Sequence, residues 1–207
     1  MDTSALQKFA QAARQDLLEQ VGSRLTFVLK PESPARREYP MTVNQLEKAM
    51  TVQGKVGLID QVAYIWFNRF CALRFMDVNG YNRVGVLSPS EGQIQPEILA
   101  EAKSGIIDDT QFNRRIADQI KGLLGGSISS QDAQAEAYRL LIVGSCNGLF
   151  EHMPFLFERI QDFTELLMPD DLLSENSILA EMRKVMTEDT CQDVEIIGWL
   201  YQFYISE

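Results

Sequence analysis

Apolar residues return at helical spacing along most of the chain. From Leu6 they recur at Phe9, Ala13, Leu17 and Val21, close to the period of a helix with one buried face. Ser4 followed by Gln7 matches a capping box at its start, and Gly22 ends or interrupts it. Residues 24–30 (RLTFVLK) read either as more helix or as a short strand. Three prolines in residues 31–40 (PESPARREYP) exclude a single helix there, so this is the clearest loop. A short helix is predicted from Met41 to about Thr51, broken by residues 53–57 (QGKVG).

Residues 58–78 form the strongest pattern in the chain. Leu58, Val62, Ile65 or Trp66, Phe70, Leu73 and Met76 or Asp77 step by three to four, while Tyr64, Phe67, Ala72 and Phe75 spread round the sides. A helix apolar on most faces is packed from several directions. Asn79 and Gly80 stop it. Residues 83–87 suit a short extended segment, and residues 88–95 a turn-rich connector. Further helices are predicted over residues 96–104, 108–124, 132–150, 154–167, 175–186 and 191–205, with residues 125–130 (GGSISS) as a joint. Asp170, Ser174 and Thr190 suit helix caps.

The predicted fold is therefore all-α, one compact domain of eight or nine helices over residues 1–207. Joints fall near 31–40 and 125–130, with room for a minor two-stranded element from Thr26–Leu29 and Val84–Leu87. The expected core is Trp66, Phe67, Phe70, Leu73, Phe75, Leu140, Leu141, Phe155, Leu156, Ile160, Leu166, Ile197 and Leu200. The stripe Val194, Ile197, Leu200, Tyr201, Tyr204, Ile205 runs to the last residues without a stop signal, as in a chain cut from something longer. A terminal helix docked on the core is the alternative.

Composition narrows the function. Hydrophobic residues make up 45% of the chain, enough for a core and too many for a disordered protein. No apolar stretch approaches the roughly 18–20 residues that cross a bilayer, and the first twenty residues lack a signal-peptide layout, which reads as a cytoplasmic protein without membrane contact. The net charge of −10 lies entirely in residues 151–207, which hold 13 acidic and 3 basic residues. That quarter repels phosphate. Cys71, Cys146 and Cys191 stand too far apart for a metal or redox motif and read as reduced, buried thiols.

Chemistry-bearing motifs are sparse. The single histidine, His152, sits between helices without a nucleophile signal and reads as a capping or surface residue. Neither GxGxxG nor GxxxxGK[ST] occurs. Asp108-Asp109 and Asp170-Asp171 stand where helices begin, and favourable charge at a helix start explains them. Arg69 and Arg74 on the apolar helix need carboxylate or carbonyl partners, or else serve an anionic ligand. No catalytic, cofactor or metal residue is assigned. The candidates for nucleic-acid contact are Lys30, Arg36 and Arg37 around the proline loop and Arg114 and Arg115 on a helix, each also readable as solvated surface.

Several strings carry a resemblance: residues 35–40 (ARREYP), 66–81 (WFNRFCALRFMDVNGY), 95–103 (QPEILAEAK), 154–173 (PFLFERIQDFTELLMPDDLL), 174–179 and 190–207 (TCQDVEIIGWLYQFYISE). In order and across the whole chain, they resemble the N-terminal region of the PglX family, the adenine-specific DNA methyltransferases of bacteriophage-exclusion (BREX) defence. The resemblance implies a parent enzyme that moves a methyl group from S-adenosylmethionine to adenine N6 and helps restrict unmarked phage. That chemistry needs an Asn/Asp/Ser-Pro-Pro-aromatic motif for the flipped base and a glycine-rich turn for the cofactor. This sequence has no Pro-Pro dipeptide and no such turn. The expectation is a catalytically silent helical domain without its own cofactor. Its partners would be the rest of the methyltransferase chain, DNA and other BREX subunits. A stand-alone helical adaptor is the alternative; an independent small enzyme fits the missing motifs poorly.

Overall fold

The computed structural model describes residues 3–150 and 163–206. Phe155, Leu156, Ile160, His152 and most of the helix predicted over 154–167 lie outside them. Among the described residues the chain is all-α, as its periodicity predicts.

Helix α1 (Ser4–Val28) buries Leu6, Phe9, Ala10, Ala13, Leu17, Val21, Leu25 and Val28 along one stripe. Ser4 is its first residue rather than its cap: Thr3 holds the cap position, with helical φ/ψ and no side-chain capping bond. Gly22 does not end it. There the helix passes close to α3 (Pro40–Val78), and a Cβ on Gly22 would sit 3.5 Å from Ile59 Cδ1.

The stripe reaches Leu25 and Val28, so residues 26–28 stay helical and the two-stranded element does not form. In its other half, the backbone groups of residues 85–87 are taken by side chains and by helix α4 (Glu97–Lys103) rather than by a strand partner. Between α1 and α3, the proline loop holds a short helix, α2 (Pro34–Glu38). Ser33 caps it by accepting from Arg36 N, and Pro34 sits in its first turn, where its missing N–H costs nothing.

The predicted break in 53–57 occurs at Gly54. Its φ of 78° and ψ of 159° interrupt α3, and residues 51–57 are exposed around the bend. Only glycine reaches that backbone conformation without strain. Beyond the bend, α3 is the central helix. Trp66, Phe67, Phe70 and Leu73 are fully buried, and Phe75 nearly so. Asn79 caps its end, as predicted.

Helix α5 (Arg114–Leu124) starts later than expected. Asn113 caps it by accepting from Ile116 N, while Asp108 turns back on Thr110, accepting from both its N–H and its hydroxyl. Asp108 therefore shapes a turn ahead of the helix. Helix α6 (Ala133–Phe150) follows, with Asp132 accepting from Ala135 N. A 3-10 turn at Glu165–Leu167 precedes α7 (Ile178–Val185). The cap of α7 is Ser177, not Ser174. Ser174 instead donates to Asp171. Thr190 lies inside a second 3-10 turn, Thr190–Gln192, and braces it by donating to Val185 O. Helix α8 (Glu195–Ile205) packs Ile196, Leu200 and Tyr204 onto α1 and α3. Tyr204 stacks on Phe67 at 4.3 Å.

The core follows the sequence prediction at Leu141 and Leu200 as well. Leu140, Leu166 and Ile197 are only partly buried, and Ile196 takes the place expected for Ile197. All three cysteines are free and buried. Burial pushes the Cys146 thiol up to about 12 and raises those of Cys71 and Cys191.

Candidate functional site

A groove of about 2080 Å³ runs between α1 and α2 on one side and the 106–113 loop, α5 and α6 on the other. Glycine lets the second wall pack tightly. A Cβ on Gly144 of α6 would lie 2.1 Å from Phe112 Cε1, so the Phe112 ring seats directly on the helix backbone. Tyr39 at the end of α2 and Gln119 of α5 both line the groove. Burial, Glu165 and Glu38 raise the Tyr39 hydroxyl pKa, against Arg115.

The groove wall contains arginines 24, 37, 83, 115 and 139 among more numerous carboxylates. Most of these arginines have partners. Arg83 pairs with Glu101 at 3.1 Å and Asp108 at 3.5 Å. Arg24 and Arg139 share Asp170 Oδ1 at 3.1 and 3.0 Å. Arg24 also donates to Leu166 O, so the pair ties the 165–170 segment to α1 and α6. Burial and then Arg24 lower the Arg139 pKa to about 10. Asp170, expected to cap a helix, is an ion-pair hub instead.

The predicted nucleic-acid residues separate. Arg36 is engaged: it donates to Leu29 O and Lys30 O at the end of α1, and to Glu47 at 2.6 Å. It fastens the proline loop to α1 and α3. Lys30 lies over the Phe27 ring at 5.8 Å. Arg114 is 96% exposed, with Asp118 3.9 Å away. Arg37 and Arg115 are exposed and line the same groove, one from each wall. They come from residues 78 positions apart in sequence, and no spacing rule would join them.

The two arginines of the central helix resolve as structural. Arg69 is buried, its guanidinium 5.1 Å from the Trp66 ring and 3.5 Å from Thr164 Oγ1. Arg74 donates to Met186 O at 3.0 Å and to Ser88 Oγ at 2.6 Å. Ser88 in turn donates its hydroxyl to Asp77 Oδ2 at 2.8 Å. Desolvation lowers the Arg74 pKa.

Asp77 is the polar centre that sequence reasoning underrated. It accepts from Asn82, from the backbone N–H groups of Val86, Leu87 and Ser88, and from the Ser88 hydroxyl. Glu97 takes the Gly85 N–H at 2.7 Å. The facing carbonyls go to Ile98 N, Tyr138 Oη, Arg183 and Glu97 N. A buried backbone stretch outside helix and sheet must satisfy its groups in some such way. The only sequence signal was an aspartate in the last turn of an apolar helix, where a negative charge is unfavourable unless it is paired.

Among the described residues, no group of three His, Cys, Asp or Glu is placed to hold a metal ion, and no helix is long and apolar enough to cross a membrane.

No family model matches the chain. It is 34% identical over 235 aligned positions to the adenine-specific methyltransferase BrxX of Escherichia coli O9:H4 (strain HS), covering all of this chain and 19% of that protein. It is 29% identical over 245 positions to the adenine-specific methyltransferase PglX of Lacticaseibacillus casei (strain Zhang), covering all of this chain and 20% of that one. The chain thus spans about one fifth of the length of these curated relatives, and its resemblance to adenine-specific methyltransferases holds along its whole length.

Proposed function

We propose that this chain is the non-catalytic N-terminal helical domain of a site-specific, S-adenosylmethionine-dependent adenine-N6 DNA methyltransferase of BREX phage defence. It forms one domain over residues 1–207, supports the methyltransferase domain and contributes to DNA or subunit contacts. The observation that carries this reading is the match of the entire chain to only a fifth of two methyltransferases. The sequence supports it too: without a Pro-Pro dipeptide, the chain cannot supply the base-holding motif. The catalytic and cofactor residues then belong to the rest of the polypeptide.

DNA contact is assigned to the rim of the groove, with Arg37 and Arg115 as the principal cations and Lys30 and Arg114 flanking them. Carboxylates dominate the groove wall, so a phosphate backbone follows the rim rather than entering. Arg36 is the weakest of the five candidates, because its guanidinium already serves two carbonyls and Glu47.

The reading is tested by the intact mass of the native polypeptide, captured from its host with an antibody to these residues. A mass several times 23.5 kDa is expected. A mass near 23.5 kDa would leave an adaptor protein that shares only ancestry with the methyltransferases. The rim is tested by salt-dependent duplex binding. Arg37→Glu/Arg115→Glu should weaken binding and flatten the slope against log salt by about 0.9 for each lost phosphate contact. An unchanged slope would remove DNA from the role of this domain.

A further inference from the structure

The outer side of α8 carries apolar residues that the fold leaves partly exposed. Ile196, Leu200 and Tyr204 turn inward, and the helix is fastened from behind by Arg14, which donates to Tyr204 O at 3.1 Å. Trp199 on one flank, and Tyr201 with Ile205 on the other, stay open to solvent at 42%, 47% and 51% exposure, with Val194 just ahead at 65% and Gly198 and Gln202 exposed between the flanks. The Trp199 ring stacks with Phe203 at 6.0 Å, and Tyr201 meets Tyr64 edge-on at 5.3 Å. Each flank thus carries a ring held in place rather than a loose side chain. Residues 196–205 contain no charge. Just ahead of the helix in sequence come exposed Glu188, Asp189 and Asp193, with Glu195 in its first turn, and residues 186–206 contain no Lys or Arg.

We propose that this face is the seat of the remaining part of the methyltransferase polypeptide, which would meet it with an apolar socket bordered by basic residues; the inference rests on the domain reading given above. Two arguments favour this occupant over a second copy of the chain. An 11-residue helix is about 16 Å long, and one face of it offers far less than the roughly 800 Å² that each partner buries in a stable complex of free proteins. A tethered partner needs less area, because covalent linkage supplies an effective concentration in about the millimolar range. A symmetric dimer would also set the acidic border of one copy against that of the other. About four fifths of the relatives' length lies outside the match and is available to fill the seat.

Hydroxyl-radical footprinting reads the face without a mutation. Trp199 and Tyr201 should be labelled at least about five-fold less in the native full-length polypeptide than in the 207-residue chain. Tyr81, 67% exposed at the far end of α3, serves as the control and should label equally in both. Equal labelling of Trp199 and Tyr201 in the two forms would overturn the seat while leaving the domain reading intact. Protection that appears in the 207-residue chain alone as its concentration rises, with a dimer in sedimentation, would give the face to a second copy and overturn the proposal as well. Failure of the domain reading shows separately, as a native mass near 23.5 kDa.

Discussion

The two sides of the molecule are held together by different physics. On the α1–α3–α8 side, apolar side chains fill the space between helices, and Trp66, Phe67, Phe70 and Tyr204 meet ring against ring. On the α5–α6 side, helix and loop approach through glycine, and the joints are polar: Asp77 under residues 82–88, and Asp170 between Arg24 and Arg139. The first kind of contact scales with area and tolerates small shifts. The second depends on a few atoms at fixed distances.

The contrast can be broken at four points. Trp66→Ala should cost most, about 3–5 kcal/mol in chemical denaturation, because a fully buried ring leaves a cavity and Thr164 O loses its donor. A loss under about 1 kcal/mol would mean that the ring is not central to the core. Asp77→Ala should follow at about 2–4 kcal/mol, since it strands several backbone N–H groups at once. Hydrogen exchange at Val86, Leu87 and Ser88 should rise with it, and slow exchange there in the variant would count against the hub. Gly144→Ala, mild in most helices, should cost about 1–3 kcal/mol here because the new methyl group meets Phe112. Pairing it with Phe112→Ala should recover part of that loss in a double-mutant cycle; additive losses would place the ring elsewhere. Arg36→Ala should lower stability by about 1 kcal/mol, while Arg37→Ala should stay within about 0.5 kcal/mol, a difference that thermal melts of the two variants can resolve. Equal effects would erase the distinction between the engaged and the exposed arginine.

Much of the helical plan was legible. Residues 58–78 announced a central helix because apolar residues covered most of its faces, and the structure buries them. The break at Gly54 and the prolines at 31, 34 and 40 stood in the sequence as local chemistry. Helix starts were read less well. Ser4, Asp108 and Ser174 are all good capping residues, yet Thr3, Asn113 and Ser177 hold the cap positions. Propensity places a cap within a few residues, and packing of the first buried turn selects among them. The candidate site was legible only as a residue type. Arg36 and Arg37 are neighbours of one kind, as are Arg114 and Arg115.

What local sequence settled was the all-α class, the central helix, the interruptions and the absence of a methyltransferase base motif, because each depends on residues within a turn or two of one another. What tertiary structure settled was the use of each charge. Arg24 meets Asp170 across a long stretch of chain, Arg36 meets Glu47 of the next long helix, and Arg37 reaches the same groove as Arg115. The stripe of α8 could be read as helix from its spacing, but which of its faces would be left over depended on where α1 and α3 lie. Periodicity is a property of the backbone nearby; the partner of a side chain is a property of the whole fold.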